Sequence, residues 1–139
     1  HGLAGLRVGY SVSDPQVADL MNRVRPPFNV NSLALAAAVA SLDDMQHLEQ
    51  SVQMNAAGLR QLEKALTRMN LEYIPSVANF ISIDTGRSGV EVFEALLPEG
   101  VIVRPVANYG MPHHIRVTVG RPEENERFLE SLKKVLNTD

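Results

Sequence analysis

An arginine near the start of the sequence has the neighbours that a phosphate site needs. Arg7 lies among Gly2, Gly5 and Gly9 in the opening stretch HGLAGLRVGY. Glycines let the backbone approach a ligand closely, and a guanidinium can direct two parallel N–H groups at a phosphate. The same residues also suit a tight turn with an exposed arginine. The residue types alone therefore leave both phosphate binding and a plain turn open.

Two further arginines are candidates for binding an anionic substrate. Arg116 stands between Ile115 and Val117 in an alternating apolar stretch, so on a strand it points away from the core. There it can hold a carboxylate through two parallel hydrogen bonds, or it can simply face solvent. Arg104 lies between a valine and a proline at a predicted strand end, where a ligand role and a surface role are both open.

The other polar residues favour structural roles. His113 and His114 are adjacent and would point to opposite faces of a strand, and no further ligand cluster accompanies them, so no metal site is expected. Asn79 suits an Asx turn at the start of a strand. The acidic pairs at helix starts are interpreted as helix-capping residues and not as catalytic carboxylates: Asp43, Asp44, Glu123 and Glu124.

The composition indicates a folded domain. The chain has 139 residues, of which 45% are hydrophobic and 21% are charged, and it contains no cysteine. Disulfides and thiolate metal sites are thereby excluded. A net charge of −3 argues against nucleic acid as the main partner, and no apolar run is long enough for a membrane span.

The local signals predict helices in the first half of the chain and a small sheet in the second. A strand is expected over residues 6–10. Ser13-Asp14-Pro15-Gln16 begins a helix, with Ser13 or Asp14 as its cap, and this helix ends at the double proline 26–27. Ser32 opens a small-residue helix to about residue 42. Apolar residues at steps of three and four predict one long helix over residues 43–69.

Three strands and two helices are expected after this long helix. The strands cover residues 80–84, 101–103 and 115–119, where apolar or β-branched residues recur. One helix runs from about residue 88 to 97. The last helix runs from about residue 123 to 136, with acidic residues in its first turn and lysines in its last.

Several motifs resemble those of a known enzyme family. The stretch GLAGLRVGY is similar to the segment that follows the Schiff-base lysine in fold-type I aminotransferases, whose usual pattern is Ser-Lys-x-x-Gly-Leu-x-Gly-Leu-Arg-x-Gly-Tyr. The stretches PFNVN, SVANFISI, GVIVRP and IRVTVGRPEENERF resemble segments of the histidinol-phosphate aminotransferases, a class II branch. The resemblance covers essentially the whole chain.

The resemblance implies roles for the three arginines. Arg7 would bind the phosphate of pyridoxal 5′-phosphate, Arg116 the α-carboxylate of the substrate, and Arg104 the substrate's carboxylate or phosphate end. The Schiff-base lysine would stand two residues before His1, so the sequence is expected to be a C-terminal piece that is inactive alone. The three lysines present lie on polar helix positions and are poor candidates for that role: Lys64, Lys133 and Lys134.

The expected fold is α/β, with a small, mostly antiparallel sheet packed with helices and a long inter-domain helix. Residues 1–42 would belong to the large cofactor-binding domain, and residues 43–139 to the small C-terminal domain. The implied activity is amino transfer between histidinol phosphate and 2-oxoglutarate in histidine biosynthesis, by a cytoplasmic homodimer. Another class I or II aminotransferase, a threonine-phosphate decarboxylase, and a non-catalytic ligand- or protein-binding domain are the alternatives.

Overall fold

The computed structural model describes residues 1–136 and shows two compact units. The first unit contains residues 1–51, and the second begins at residue 52. The predicted domain boundary between residues 42 and 43 stays a prediction.

The first unit is helical. A short 3-10 helix, Ala4–Leu6, precedes α1 (Pro15–Val24) and α2 (Ser32–Asp43), and α3 (Met45–Arg68) begins in this unit. The Asp14 carboxylate accepts from the Gln16 N–H at 2.8 Å, which caps α1 as predicted. Helix α2 begins at Ser32 as predicted, and Asn31 caps it, because its side-chain oxygen accepts from the Ala34 N–H at 2.8 Å. The strand predicted over residues 6–10 was wrong: the 3-10 helix ends at Leu6, Arg7 is in a left-handed turn, and residues 8–10 form no regular element.

The first unit leaves most of its apolar side chains exposed. Within residues 1–51, Ala34 is the one fully buried hydrophobic residue. The exposed set covers α1 and α2: Val17, Leu20, Met21, Val24, Leu33, Leu35, Val39 and Leu42. Many exposed apolar side chains on two helices favour association.

We therefore expect the 139-residue chain to self-associate, with an apparent mass by sedimentation that rises with concentration. A single monomeric species over a hundred-fold concentration range would contradict this.

The helix α3 confirms the long amphipathic helix, but only its second half is buried. The fully buried residues of α3 are Gly58, Leu59, Leu62 and Leu66. Met45 and Val52, which continue the same apolar stripe toward the N-terminus, are exposed. The stripe is therefore continuous in the sequence, whereas the packing in the structure begins near residue 58.

The second unit holds a four-stranded antiparallel sheet. Its strands are β1 (Tyr73–Ile74), β2 (Phe80–Asp84), β3 (Arg104–Pro105) and β4 (His114–Thr118), in the spatial order β1-β2-β4-β3. The predicted antiparallel sheet is confirmed. The strand expected over residues 101–103 was wrong, because pairing with β4 starts only at Arg104. The short strand β1 was missed, since a two-residue strand carries no alternation to detect.

Two helices, α4 (Gly89–Leu96) and α5 (Pro122–Leu136), accompany this sheet and confirm the two predicted helices. The hydrophobic core combines the inner face of the sheet with α3, α4 and α5. Its fully buried members include Leu62, Leu66, Ile81, Ile83, Val92, Leu96, Ile115 and Leu132. Burying large aliphatic side chains in this way stabilises the unit by about 1.5–3 kcal/mol for each side chain. No helix within residues 1–136 is long and apolar enough to cross a membrane.

Candidate functional site

The outer face of the sheet brings two of the predicted arginines together. Arg116 on β4 lies directly opposite Ser82 on β2 and directly opposite Arg104 on β3. Side chains directly opposite each other in an antiparallel pair share one face of the sheet. Ile115 and Val117, which flank Arg116, are buried on the other face. Arg116 therefore points away from the core, as the alternation predicted.

The pair Arg104–Arg116 concentrates positive charge. Like charges directly across a sheet are destabilising, so an anion between them would relieve the repulsion. Among residues 1–136, no acidic side chain forms an ion pair with either arginine. The Cζ atom of the Arg116 guanidinium lies 4.8 Å from the centre of the Phe80 ring on β2, in a cation–π contact. The arrangement suits a carboxylate or a phosphate.

Both arginines line a groove of about 490 Å³ in the second unit. Its other walls are the segment 100–103, the end of β4 and the start of α5, including Arg127. Arg127 donates to the Glu99 carbonyl at 3.1 Å. Glu124 is the one acidic residue among those that line the groove, and its carboxylate is held by Arg121 at 3.0 Å. Hydrogen bonds from the Arg121 side chain and backbone lower the pKa of Glu124, so its charge is already balanced.

Arg7, the predicted phosphate ligand, lies in the first unit in a left-handed turn. Its φ is 59°, and it follows the 3-10 helix as its C-cap. One guanidinium nitrogen donates to the Ala4 carbonyl at 3.2 Å, and the side chain is exposed. Gly5 and Gly9 have open space where a Cβ would stand. A turn with an exposed guanidinium and open backbone on both sides can accommodate a phosphate, so these residues fit the role.

A second cavity lies within the first unit. It has a volume of about 420 Å³ and is lined mainly by apolar residues of the opening segment and of α2. His1 accompanies this lining, with Nδ1 3.0 Å from the Ser41 carbonyl and its ring 6.3 Å from that of Tyr10. The sequence pattern of residues 1–10 did not predict this cavity.

Sequence reasoning missed Phe80 and Arg127 as neighbours of the arginine pair. Phe80 was identified only as the start of a strand, and its contact with Arg116 depends on the register between β2 and β4. Arg127 lies in the predicted last helix, and its spacing gave no sign of a place beside the arginine pair. Asn79, expected to act at a strand start, uses its backbone there, because its carbonyl accepts from the Val119 N–H at 2.9 Å. Among residues 1–136, no group of three or more histidine, aspartate or glutamate side chains is placed to hold a metal ion.

The family model and the curated relatives that match this chain agree with each other. The sequence model described as "Aminotransferase class I and II" matches residues 1–132. Histidinol-phosphate aminotransferase 1 of Nitrosococcus oceani is 62% identical over 136 residues, which cover 98% of this chain and 37% of that protein. The chain thus spans well under half the length of the curated relatives it matches.

Solved structures show the same fold. Histidinol-phosphate aminotransferase of Sinorhizobium meliloti, determined in complex with pyridoxal-5′-phosphate, superposes with a TM-score of 0.85 at 26% identity and covers 99% of this chain and 38% of its own. L-threonine-O-3-phosphate decarboxylase of Porphyromonas gingivalis also gives 0.85, at 24% identity, over 99% of this chain and 44% of its own. The second likeness concerns the fold alone.

Proposed function

Because the chain belongs to the aminotransferase class I and II family, we propose that the full-length gene product transfers amino groups between amino acids and 2-oxo acids. The specific reaction proposed is amino transfer between L-histidinol phosphate and 2-oxoglutarate in histidine biosynthesis, which the relatives at 62% identity support. The enzyme is proposed to be a cytoplasmic homodimer. Residues 1–42 would belong to its large domain and residues 43–139 to its small domain.

The opposed pair Arg104 and Arg116 is the observation that carries this proposal. Arg116, in contact with the Phe80 ring, would bind the α-carboxylate of glutamate or 2-oxoglutarate with two parallel hydrogen bonds. This contact would orient the α-carbon of the substrate. Arg104, directly opposite, would bind the second carboxylate of 2-oxoglutarate, or the phosphate of histidinol phosphate, which has no carboxylate.

Pyridoxal phosphate is the cofactor that the family implies. Arg7 would hold its phosphate, since its guanidinium is exposed and flanked by open backbone at Gly5 and Gly9. When bound, the cofactor supplies an electron sink for the bond changes at the amino-acid α-carbon. The chain's own contribution is to neutralise the phosphate through Arg7 and to orient the substrate through Arg116.

The 139-residue chain by itself is proposed to be inactive. Lys64 and Lys133 are exposed on helices, and Lys134 is 2.5 Å from the Glu99 carboxylate. None of these lysines is therefore placed to react with the cofactor.

The proposed function is tested by assaying the full-length gene product with pyridoxal phosphate, L-histidinol phosphate and 2-oxoglutarate. We expect formation of glutamate, and no turnover by residues 1–139 alone under the same conditions. A parallel assay supplies threonine phosphate in place of these two substrates. Release of carbon dioxide in that assay, with no glutamate formed in the first, would instead indicate a decarboxylase. Ligand binding without either product would indicate a non-catalytic domain. Both of these results would contradict the proposed reaction.

A further inference from the structure

A buried amide lies just beyond the strand that carries Arg116. Asn125, in the first turn of α5, is only 2% exposed. Its side-chain oxygen accepts from the Gly120 N–H at 2.9 Å, and its Nδ2 donates to the Gly120 carbonyl at 3.1 Å. The Asn125 side chain thus forms hydrogen bonds with both backbone polar groups of Gly120, in the turn between β4 and α5. Because the Asn125 side chain itself is buried, a substitution that removes one of these bonds leaves a polar group without a partner where water has little access.

The same amide connects this turn to α3. Asn125 Nδ2 also donates to Gln61 Oε1 at 3.0 Å, and Gln61 Nε2 donates to the Pro122 carbonyl at 3.1 Å. One turn earlier on α3, Gly58 leaves room for this approach. A Cβ at Gly58 would lie 2.4 Å from Val119 Cγ1 and 3.1 Å from Asn125 Nδ2. Helix α3 and the turn are therefore fitted to each other by both contact and hydrogen bonding.

The network lies at the C-terminal end of β4, the strand that carries Arg116, which is proposed to bind the substrate carboxylate. Gly120 follows β4 by two residues, and the intervening Val119 N–H donates to the Asn79 carbonyl at 2.9 Å. A displacement of Val119 and Gly120 would change how the end of β4 pairs with β2. Phe80, the first residue of β2, directly follows Asn79, so the position of the Arg116 guanidinium over Phe80 depends on the register between the two strands.

We propose that Asn125, supported by Gln61, is a positioning residue for Arg116: it holds the exit of β4 so that the guanidinium stays over Phe80 and aimed at the substrate carboxylate. This inference rests on the proposed function for its kinetic consequence. Its structural part, the coupling of Asn125 to Arg116, stands on the contacts alone. A role for Asn125 in stability only is the competing explanation.

Asn125→Asp tests the proposal, because it keeps the size of the side chain but replaces both amide donors with an acceptor. In the full-length gene product we expect the KM for 2-oxoglutarate to rise by about 10- to 100-fold, as expected when a binding group is misplaced by roughly 1 Å. In the 139-residue chain, the Arg116 Nε–H resonance should lose the ring-current shift caused by Phe80. Asn108→Asp is the matched control, since Asn108 is exposed and the same chemical change should alter neither readout.

A second control separates positioning from stability. Leu132→Ala removes a fully buried side chain from α5 without touching the network, so it should lower the melting temperature and leave KM unchanged. If Asn125→Asp lowers the melting temperature but leaves both KM and the Arg116 resonance unchanged, the proposal is wrong. If Asn125→Asp does not fold, Gln61→Ala supplies the same two readouts, because it removes the α3 anchor but keeps both bonds to Gly120.

The outcomes also distinguish this inference from the proposed function. A wild-type gene product without aminotransferase activity would overturn the proposed function, while the resonance of Arg116 would still decide whether Asn125 positions it. An active wild-type enzyme whose Asn125→Asp variant keeps its KM and its Arg116 resonance would overturn the inference alone.

Discussion

Replacing Arg116 with glutamine is expected to lower kcat/KM of the full-length gene product for 2-oxoglutarate by about 100- to 1,000-fold. Two parallel charge-assisted hydrogen bonds to the carboxylate are lost, at about 1.5–3 kcal/mol each. Glutamine can offer one neutral N–H donor in their place. The substitution also removes the cation–π contact between the Arg116 guanidinium and the Phe80 ring, which would help to hold the binding group in place.

The measurement is steady-state kinetics with both substrates at several concentrations. Arg60→Gln is the matched control, because Arg60 is exposed on α3 and the same charge is removed from a surface position. Its kcat/KM should stay within about two-fold of the wild type, as is usual for a surface substitution. Equal kinetic effects of the two substitutions would mean that Arg116 acts only through overall charge.

Shortening Leu62 to alanine is expected to cost about 2–5 kcal/mol of unfolding free energy. Leu62 is 0% exposed and contributes to the core formed by α3, the sheet and α5. Removing its isobutyl group leaves a cavity that close-packed neighbours can fill only in part. Urea denaturation of the 139-residue chain measures the loss directly.

The same substitution at Leu33 provides the comparison. Leu33 lies on α2 and is 77% exposed, so at a dilution where the chain is monomeric Leu33→Ala should change the unfolding free energy by no more than about 0.5 kcal/mol. If both variants lose several kcal/mol, the α2 face must be covered in solution, which would agree with self-association. If neither does, the core assignment around Leu62 is wrong.

Elements with strong local signals were predicted closely. Asp14 and the proline after it define the start of α1, and the paired prolines at 26–27 define its end. The strand β2 was predicted at its observed bounds because apolar and polar residues alternate along it. These signals act over a few residues, through capping, backbone restriction and side-chain period, so they can be recognised without the rest of the fold.

Elements that depend on distant partners were predicted less well. The segment 101–103 is β-branched and was expected to be a strand, but pairing with β4 begins only at Arg104. The strand β1 exists only because Tyr73 and Ile74 lie against β2. The exposed Met45 and buried Leu66 belong to one apolar stripe, and only the packing of the second unit separates them.

The sequence by itself determined the family resemblance, the three candidate arginines and the outward direction of Arg116. These follow from motif spacing and from the two-residue period of a strand. Only the tertiary structure decided that Arg104 lies directly opposite Arg116, that Phe80 contacts the Arg116 guanidinium, and that Asn125 binds Gly120 just after β4. The physical reason is that strand register and buried hydrogen bonds join residues far apart in the chain, and no local pattern specifies which residues will meet.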